Sequence, residues 1–452
     1  MKRTAFRWVA VSSVVFAMVV PTLARTRPRY GGTLRLQTQA SAERLARGLV
    51  LETLTSVDEA GNAQPLLASR WLSQNDGTRW QFWLRSGVTF HDATPLTPAV
   101  VAEALSAAKC DGACPWRTVR VLGDSVLFEA DQPIRDLPSI LALDEFAIVR
   151  NAQGTLVGSG PFRIQSGTYD TITLAAFEDA WAGRPFIDAI EIRGGRSVRD
   201  QLMDLGVGRA DLVEVPAEQL RRVQQERVRV FASRPVELIA VRVERNSATL
   251  QNRKIREALA QTWQRTSLRD VIFQKQGEMT ASVLPSWLSG YYFLFPYPNS
   301  SFGISDEIKP EVARLGSLGL AVDSSDSSLQ LVAERLALDA RAGGFKIQVV
   351  PDNGNHTPDL KVERTKLEST NPAVALWRLG AKRGAELSWS GEERSETPLR
   401  LFQAEQDFLR QWMTIPLLYV PLGYAASARI HNLELRPLGE PALAEVWLEG
   451  GK

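Results

Sequence analysis

Apolar residues along this chain recur at two spacings, in short blocks that take turns. In "SSLQLVAERLALDARAGGFKIQVV", Leu329, Val332, Ala333 and Leu336 share one face at helical spacing. Gly343–Gly344 ends that run, and "FKIQVV" alternates as a strand does. "SVRDQLMDLGVGRADLVEVP" repeats the scheme: Val198, Leu202 and Leu205 mark a short helix, Gly206 its exit, and Asp211–Val215 a strand. In "NRKIREALAQTWQRTSLRDVIF", Ile255, Leu259 and Trp263 share a face behind Asn252, a candidate cap. A second helix is predicted from Ser267, with Asp270 as its capping partner. Further on, Thr397 caps a helix, Pro398 fits its first turn, and Leu401, Ala404, Phe408 and Trp412 face one way. "IPLLYVPLGYAASAR" then reads as a buried strand interrupted by prolines. The polar stretch Pro351–Pro372 predicts loops or a short edge strand. Helix and strand taking turns in this way is mixed α/β.

Composition refines the picture in four places. With 452 residues the chain is too long for one ordinary core, which predicts two or three lobes. Lys2, Arg3 and Arg7 precede an uncharged apolar run, Trp8–Val20, and "PTLA" follows. That order matches a secretory signal cleaved after Ala24, with a retained membrane anchor as the alternative. Loss of residues 1–24 would reduce 53 basic residues to 50 against 51 acidic ones, so no basic footprint for nucleic acid remains. The two cysteines, Cys110 and Cys114, would close a small disulfide loop in an oxidising compartment, eased by Gly112. A metal site needs about four ligands, and two thiols without a second pair fall short.

The segment "TRWQFWLRSGVTFHDATPLTPAVV" carries one of three histidines, His91, beside Asp92; the others are His356 and His431. Trp80, Phe82 and Leu84 alternate with Gln81, Trp83 and Arg85 as a strand, and Thr97–Pro98 opens a helix. Neighbours on an extended chain point to opposite faces, so His91–Asp92 makes a poor catalytic pair and a better structural one. No G-x-S-x-G, zinc-type His pair or phosphate-cradling glycine loop occurs, which argues against an enzyme, and no cofactor or metal is called for.

These residues in order (Trp71, Asp76–Gly77–Thr78, Phe82, Leu84–Arg85, Phe90–His91–Asp92, Leu96–Thr97) resemble the signature of family 5 extracellular solute-binding proteins. That family holds the oligopeptide-, dipeptide- and nickel-binding components of ABC importers. "YGGTLRL", "GSGPFRI", "WAGRPFIDAIEIR", "GRADLVEVP", "NRKIREALAQTWQR" and "FLRQWMTIPLLYV" continue the resemblance over residues 30–430. Ala93 stands where the family has Gly. The resemblance implies an α/β, two-lobed periplasmic binding protein fold with an additional subdomain inserted in the first lobe. The expected division is a signal peptide at 1–24, and lobe I at 25–55, 155–245 and 425–452. The insert spans 56–154, and a shortened lobe II spans 246–424.

Function enters as an expectation: a periplasmic monomer that captures a small solute, a peptide being one candidate, by hinge closure and hands it to an ABC permease. The alternative is a degenerate relative serving as a receptor or scaffold. Candidate ligand residues are Gln37, Thr38 and Ser159 from first-lobe strand ends, and Trp287, Tyr291 and Trp377 from the second lobe. Two departures bear on the ligand. The loop "QTQASAERLARG" is short, and "DLKVERTKLESTNPAVALWRLG" lacks the W-x-x-D that supplies an amino-group carboxylate in peptide binders. Asp359 and Glu363 are the substitutes in view, and Trp377–Arg378 offers an aromatic ring and a cation, which favours a neutral or anionic solute or an N-blocked peptide.

Overall fold

The computed structural model describes residues 28–108, 110, 114–152, 155–296, 304–354, 357–383 and 398–450. The expected signal segment, His356 and the Thr397 cap lie outside the described residues. In chain order, the main sheet contains β1 (Thr33–Gln37), β2 (Phe162–Gly167), β3 (Thr171–Ala176), β4 (Ala189–Arg193) and β5 (Leu212–Val215). It continues with β6 (Arg229–Val243), β7 (Leu318–Val322), β8 (Ile347–Pro351), β9 (Leu360–Lys366) and β10 (Thr414–Ala426). The spatial order is β2-β3-β4-β1-β5-β10-β6-β9-β7-β8, and Glu278–Met279 pairs beside β10.

Two long antiparallel strands cross the middle. One end of β10 pairs with β5 and with the start of β6; its other end pairs with the far half of β6. Strands β6 and β10 therefore belong to both halves of the sheet. Pro235 lies opposite Pro421, and register shifts flank that pair. Proline cannot donate to a ladder, so central strands tolerate it only at such irregularities. The prolines expected to interrupt β10 thus leave it as one continuous strand of 13 residues.

Each half has its own core. Leu34, Leu36, Phe162, Ile190 and Leu212 fill one, and Ile239, Leu259, Trp263, Leu320, Val332 and Leu336 fill the other. Between β1 and β2 the chain builds a separate four-stranded antiparallel sheet from Ala68–Gln74, Arg79–Leu84, Ser125–Glu129 and Thr118–Leu122. Its core holds Phe82, Phe90, Val101, Phe128 and Phe146. This is the two-lobed α/β architecture with a subdomain inserted in the first lobe. Among the described residues, no helix is long and apolar enough to cross a membrane.

Four helices position the candidate residues and their partners: α1 (Val198–Gly206), α2 (Ser327–Ala342), α3 (Pro372–Ala381) and α4 (Pro398–Arg410). Several expectations change in the fold. Asn252 does cap its helix, accepting from the Lys254 N–H at 2.9 Å. Ser267 caps nothing, because its backbone is already helical within a turn that begins at Arg265. Its hydroxyl meets Gln264, and Asp270 binds Arg269. Helix α1 buries Gln201 and Asp204 beside Leu205, and α4 buries Glu405 beside Phe408. Trp412 lies beyond the end of α4, in the left-handed region at φ 53°.

The largest change is β9. Its sequence reads as a loop or an edge, yet it pairs with β6 over all seven residues on one side and with β7 on the other. Pairing of both edges satisfies the backbone, and partners neutralise the side chains. Lys361 pairs with Asp352 and Glu363 with Arg383; Arg364 pairs with Glu237 and Asp326, and Lys366 with Glu440.

Cys110 and Cys114 are joined by a disulfide with their Cα atoms 5.2 Å apart, against the subdomain core. Non-reducing peptide mapping should recover them linked. Because the loop is small, replacing both by Ser should lower stability by about 2 kcal/mol at most, read from denaturant melts.

Candidate functional site

Parallel strands β1 and β5 end at one edge of the first lobe, and a polar network gathers there. Gln37 is 1% exposed, and its Nε2 donates to Asp204 at 2.9 Å. The Thr38 hydroxyl donates to Glu214 at 2.6 Å, and the Gln39 N–H donates to the same carboxylate. Gln201 accepts from the Glu214 N–H and donates to the Arg196 carbonyl. The polar face of α1 thus binds the strand ends, which explains why that helix buries Gln201 and Asp204.

Ser159 sits elsewhere, at the junction with the inserted subdomain. Its hydroxyl donates to Glu52 at 2.8 Å, and the Trp181 indole donates to the same carboxylate at 2.9 Å. Burial pushes the Glu52 carboxyl up against the pull of those two donors. Gly158 and Gly160 flank Ser159 because the Val50 backbone crosses so closely. A Cβ on Gly158 would meet the Val50 carbonyl at 2.0 Å. His91 joins the same junction: its Nε2 donates to the Gly160 carbonyl at 2.9 Å and its Nδ1 accepts from the Gly158 N–H. Asp92 instead pairs with Arg150 at 2.8 Å. The two neighbours serve separate partners, although they sit in a tight turn closed by the Ala93 N–H donating to the Phe90 carbonyl and not on the extended backbone expected from the sequence.

Trp287 and Tyr291 lie together on the second lobe. The Trp287 indole donates to the Pro235 carbonyl at 2.8 Å, beside the facing prolines of β6 and β10. Tyr291 is buried, with its ring centre 5.8 Å from that of Phe402. Its hydroxyl lies against Glu405, which is 0% exposed and takes its hydrogen bonds from uncharged donors. The Ser282 hydroxyl and the Val283 and Leu284 N–H groups all donate to Glu405 Oε1. Burial pushes the Glu405 carboxyl up. Only its place four residues after Leu401 and three before Phe408, on the apolar face of α4, could have marked it in the sequence.

Trp377 lies on α3, a helix buried on two sides. Val374 is packed in the subdomain core with Trp377 against it, while Ala375, Leu376 and Leu379 pack in the second lobe. Asn371 caps α3 and also donates to the Gly61 carbonyl at 3.1 Å; the Thr370 hydroxyl donates to the Asp58 carbonyl at 2.6 Å. Arg378, 5% exposed, reaches Glu368 at 2.7 Å and Glu145 of the subdomain at 2.9 Å. It is therefore a partnered cation, and the open cation expected from the sequence is absent at this position. Asp359 is committed too, accepting from Ser247 and the Gly319 N–H, and Glu363 lies between Arg383 and Arg242. Glu368 is a residue that sequence reasoning misses; its position just before the Asn371–Pro372 cap is the available signal. The six candidate ligand residues thus fall into four neighbourhoods by their partners: the β1 end, the Glu52 junction, the Trp287–Tyr291 segment and α3.

The profile of bacterial extracellular solute-binding proteins, family 5 Middle, matches residues 62–314, and the chain belongs to that family. A probable di/tripeptide-binding protein 5 of Pseudomonas aeruginosa is 23% identical over 328 residues, which cover 60% of this chain and 62% of that protein. The nickel-binding protein NikA of Staphylococcus aureus is 22% identical over 235 residues, covering 49% and 48%. The matched region thus spans less than two thirds of either relative. Among solved structures, Staphylococcus aureus NikA with Ni(L-His)2 superposes at a TM-score of 0.79 with 16% identity, covering 92% of this chain and 100% of that one. Bacillus subtilis AppA with a nonapeptide gives 0.78 with 16% identity, covering 94% and 100%. At such identities the superpositions speak for the fold, and the family is one of bacterial extracellular solute-binding proteins.

Two buried groups make stability depend on pH. Glu405 has a folded pKa above its unfolded value of about 4.3, so its contribution is full below that value and lost as pH rises through the folded one. Glu405→Gln should therefore raise the melting temperature at pH 7 relative to pH 4. His91 is held neutral by burial, below its unfolded value of about 6.5. The unfolded chain binds that proton first, so stability should fall as pH drops below about 6.5, and His91→Gln should flatten that part of the profile in thermal melts.

Proposed function

We propose that this protein is the solute-capturing component of an ABC importer, closing on a peptide-like or other small solute between two lobes. The observation that carries the reading is the pair of crossing strands. Strands β6 and β10 are shared by both halves of the sheet, with Pro235 and Pro421 facing each other at a register irregularity between them. A short irregular segment common to two cores is where hinge motion concentrates. The lobes on this reading are 25–55, 155–245 and 425–452 against 246–424, with 56–154 as the insert. We place the protein in the periplasm as a monomer, exported by a cleaved signal, with an inner-membrane permease as its partner. Gln37, Thr38, Ser159, Trp287, Tyr291 and Trp377 remain the candidate solute contacts.

The chemistry of the second lobe bears on the solute. Asp359, Glu363 and Glu368 all have partners within the chain, so none of them stands ready to compensate a buried ammonium. N-blocked or neutral solutes are therefore favoured over peptides with free amino termini. Calorimetry with a tripeptide set, each free and N-acetylated, should find the acetylated member bound at least as well. Micromolar binding that vanishes on acetylation would reverse this assignment.

A second reading, a receptor or scaffold without transport, draws support from α3, which ties the second lobe to the inserted subdomain. Small-angle scattering separates the two. Capture predicts a smaller radius of gyration at saturating solute, whereas an unchanged profile would favour the scaffold.

A further inference from the structure

We infer that α3 is a latch that keeps the second lobe against the inserted subdomain when no solute is bound, with Arg378 as its catch. The inference rests on the hinge reading of β6 and β10 and concerns the state before solute arrives. Helix α3 carries two apolar stripes, and each enters a different core. Val374 and Trp377, three residues apart, face the subdomain, while Ala375, Leu376 and Leu379 face the second lobe. A helix that merely finished one lobe would need one stripe.

The polar contacts repeat this division. Arg378 lies between Glu368, two residues past the end of β9, and Glu145 of the subdomain. Lys382, on the next turn, adds a second cation to Glu368. Asn371 caps α3 with its carbonyl oxygen and spends its amide on the Gly61 carbonyl and on Asp136 of the subdomain. Close approach is built in: Gly61 has φ +84°, and a Cβ there would meet the Thr370 carbonyl at 2.8 Å.

Such a contact has two stable arrangements. With the lobes together, a nearly buried guanidinium has carboxylates on both sides. With the lobes apart, Arg378 keeps Glu368, and Glu145 turns to water. An intermediate opening would leave buried charge partly compensated, which is strongly unfavourable, so the seam is either shut or open. The latch therefore sets the closed fraction of the solute-free protein, and with it the rate at which solute enters.

The test uses the full chain, with spin labels at the exposed sites Leu72 on the subdomain and Leu338 on α2, each replaced by Cys. Pulsed dipolar spectroscopy without solute should give a short distance together with a longer one for the parent, the shut and open arrangements side by side. Arg378→Gln should raise the ratio of long to short distances about tenfold or more, the scale expected when one member of a buried charge pair is removed. Glu145→Gln, which removes only the partner across the seam, should do the same and serves if Arg378→Gln fails to fold. Val374→Asp opens the seam by a route independent of the ion pair. If it lengthens the distance while Arg378→Gln and Glu145→Gln do not, the lobes hinge but Arg378 is no catch, and the latch is overturned. If none of the three lengthens it in protein of unchanged circular dichroism, the hinge reading fails as well.

Discussion

The antiparallel pairing of β6 with β10 is the contact on which both lobes depend. Every other strand of the main sheet belongs to one half, whereas these two supply edges to both. Their backbone hydrogen bonds hold the lobes in one sheet and set how they face each other. The ladder is least regular where Pro235 meets Pro421, because neither proline can donate there. Trp287 supports that point from the second lobe through its bond to the Pro235 carbonyl. A strong ladder with a local irregularity suits a joint that must persist while its two ends move.

Charge compensation is the second organising constraint. Strand β9 lies in the sheet interior although its sequence is "LKVERTK". Hydrogen bonds on both edges remove the backbone penalty, and each charged side chain finds an opposite charge from a neighbouring strand, helix cap or loop. The same rule acts at the seam, where Arg378 is buried between two carboxylates. Glu405 is a contrasting case: its hydrogen bonds come from neutral donors, and its carboxyl is pushed toward the protonated form.

His91 and Asp92 show how a motif can be framework. The imidazole bridges the backbone on either side of Ser159, while Asp92 faces Arg150. Glycines at 158 and 160 let the Val50 backbone approach closely, and Ser159 and Trp181 supply donors to Glu52. The inserted subdomain is thereby fastened to the first lobe near the candidate residue Ser159. The most recognisable stretch of the sequence thus positions the inserted subdomain on the first lobe.

The helices at Val198, Ser327 and Pro398, the Asn252 cap, the α/β class and the framework reading of His91–Asp92 were all legible along the chain. Each rests on spacing within about ten residues, and local periodicity and capping act over that range. The motif order also pointed to the family. What the sequence left undecided was set by contacts between distant segments. Strand β9 looks like a loop until β6 and β7 flank it, and the Glu405 carboxylate has its donors only once the 282–284 backbone closes over it. Arg378 reads as a free cation until Glu145, more than two hundred residues away in sequence, arrives beside it. Polar residues are placed by their partners, and a partner's position exists only once the chain has folded.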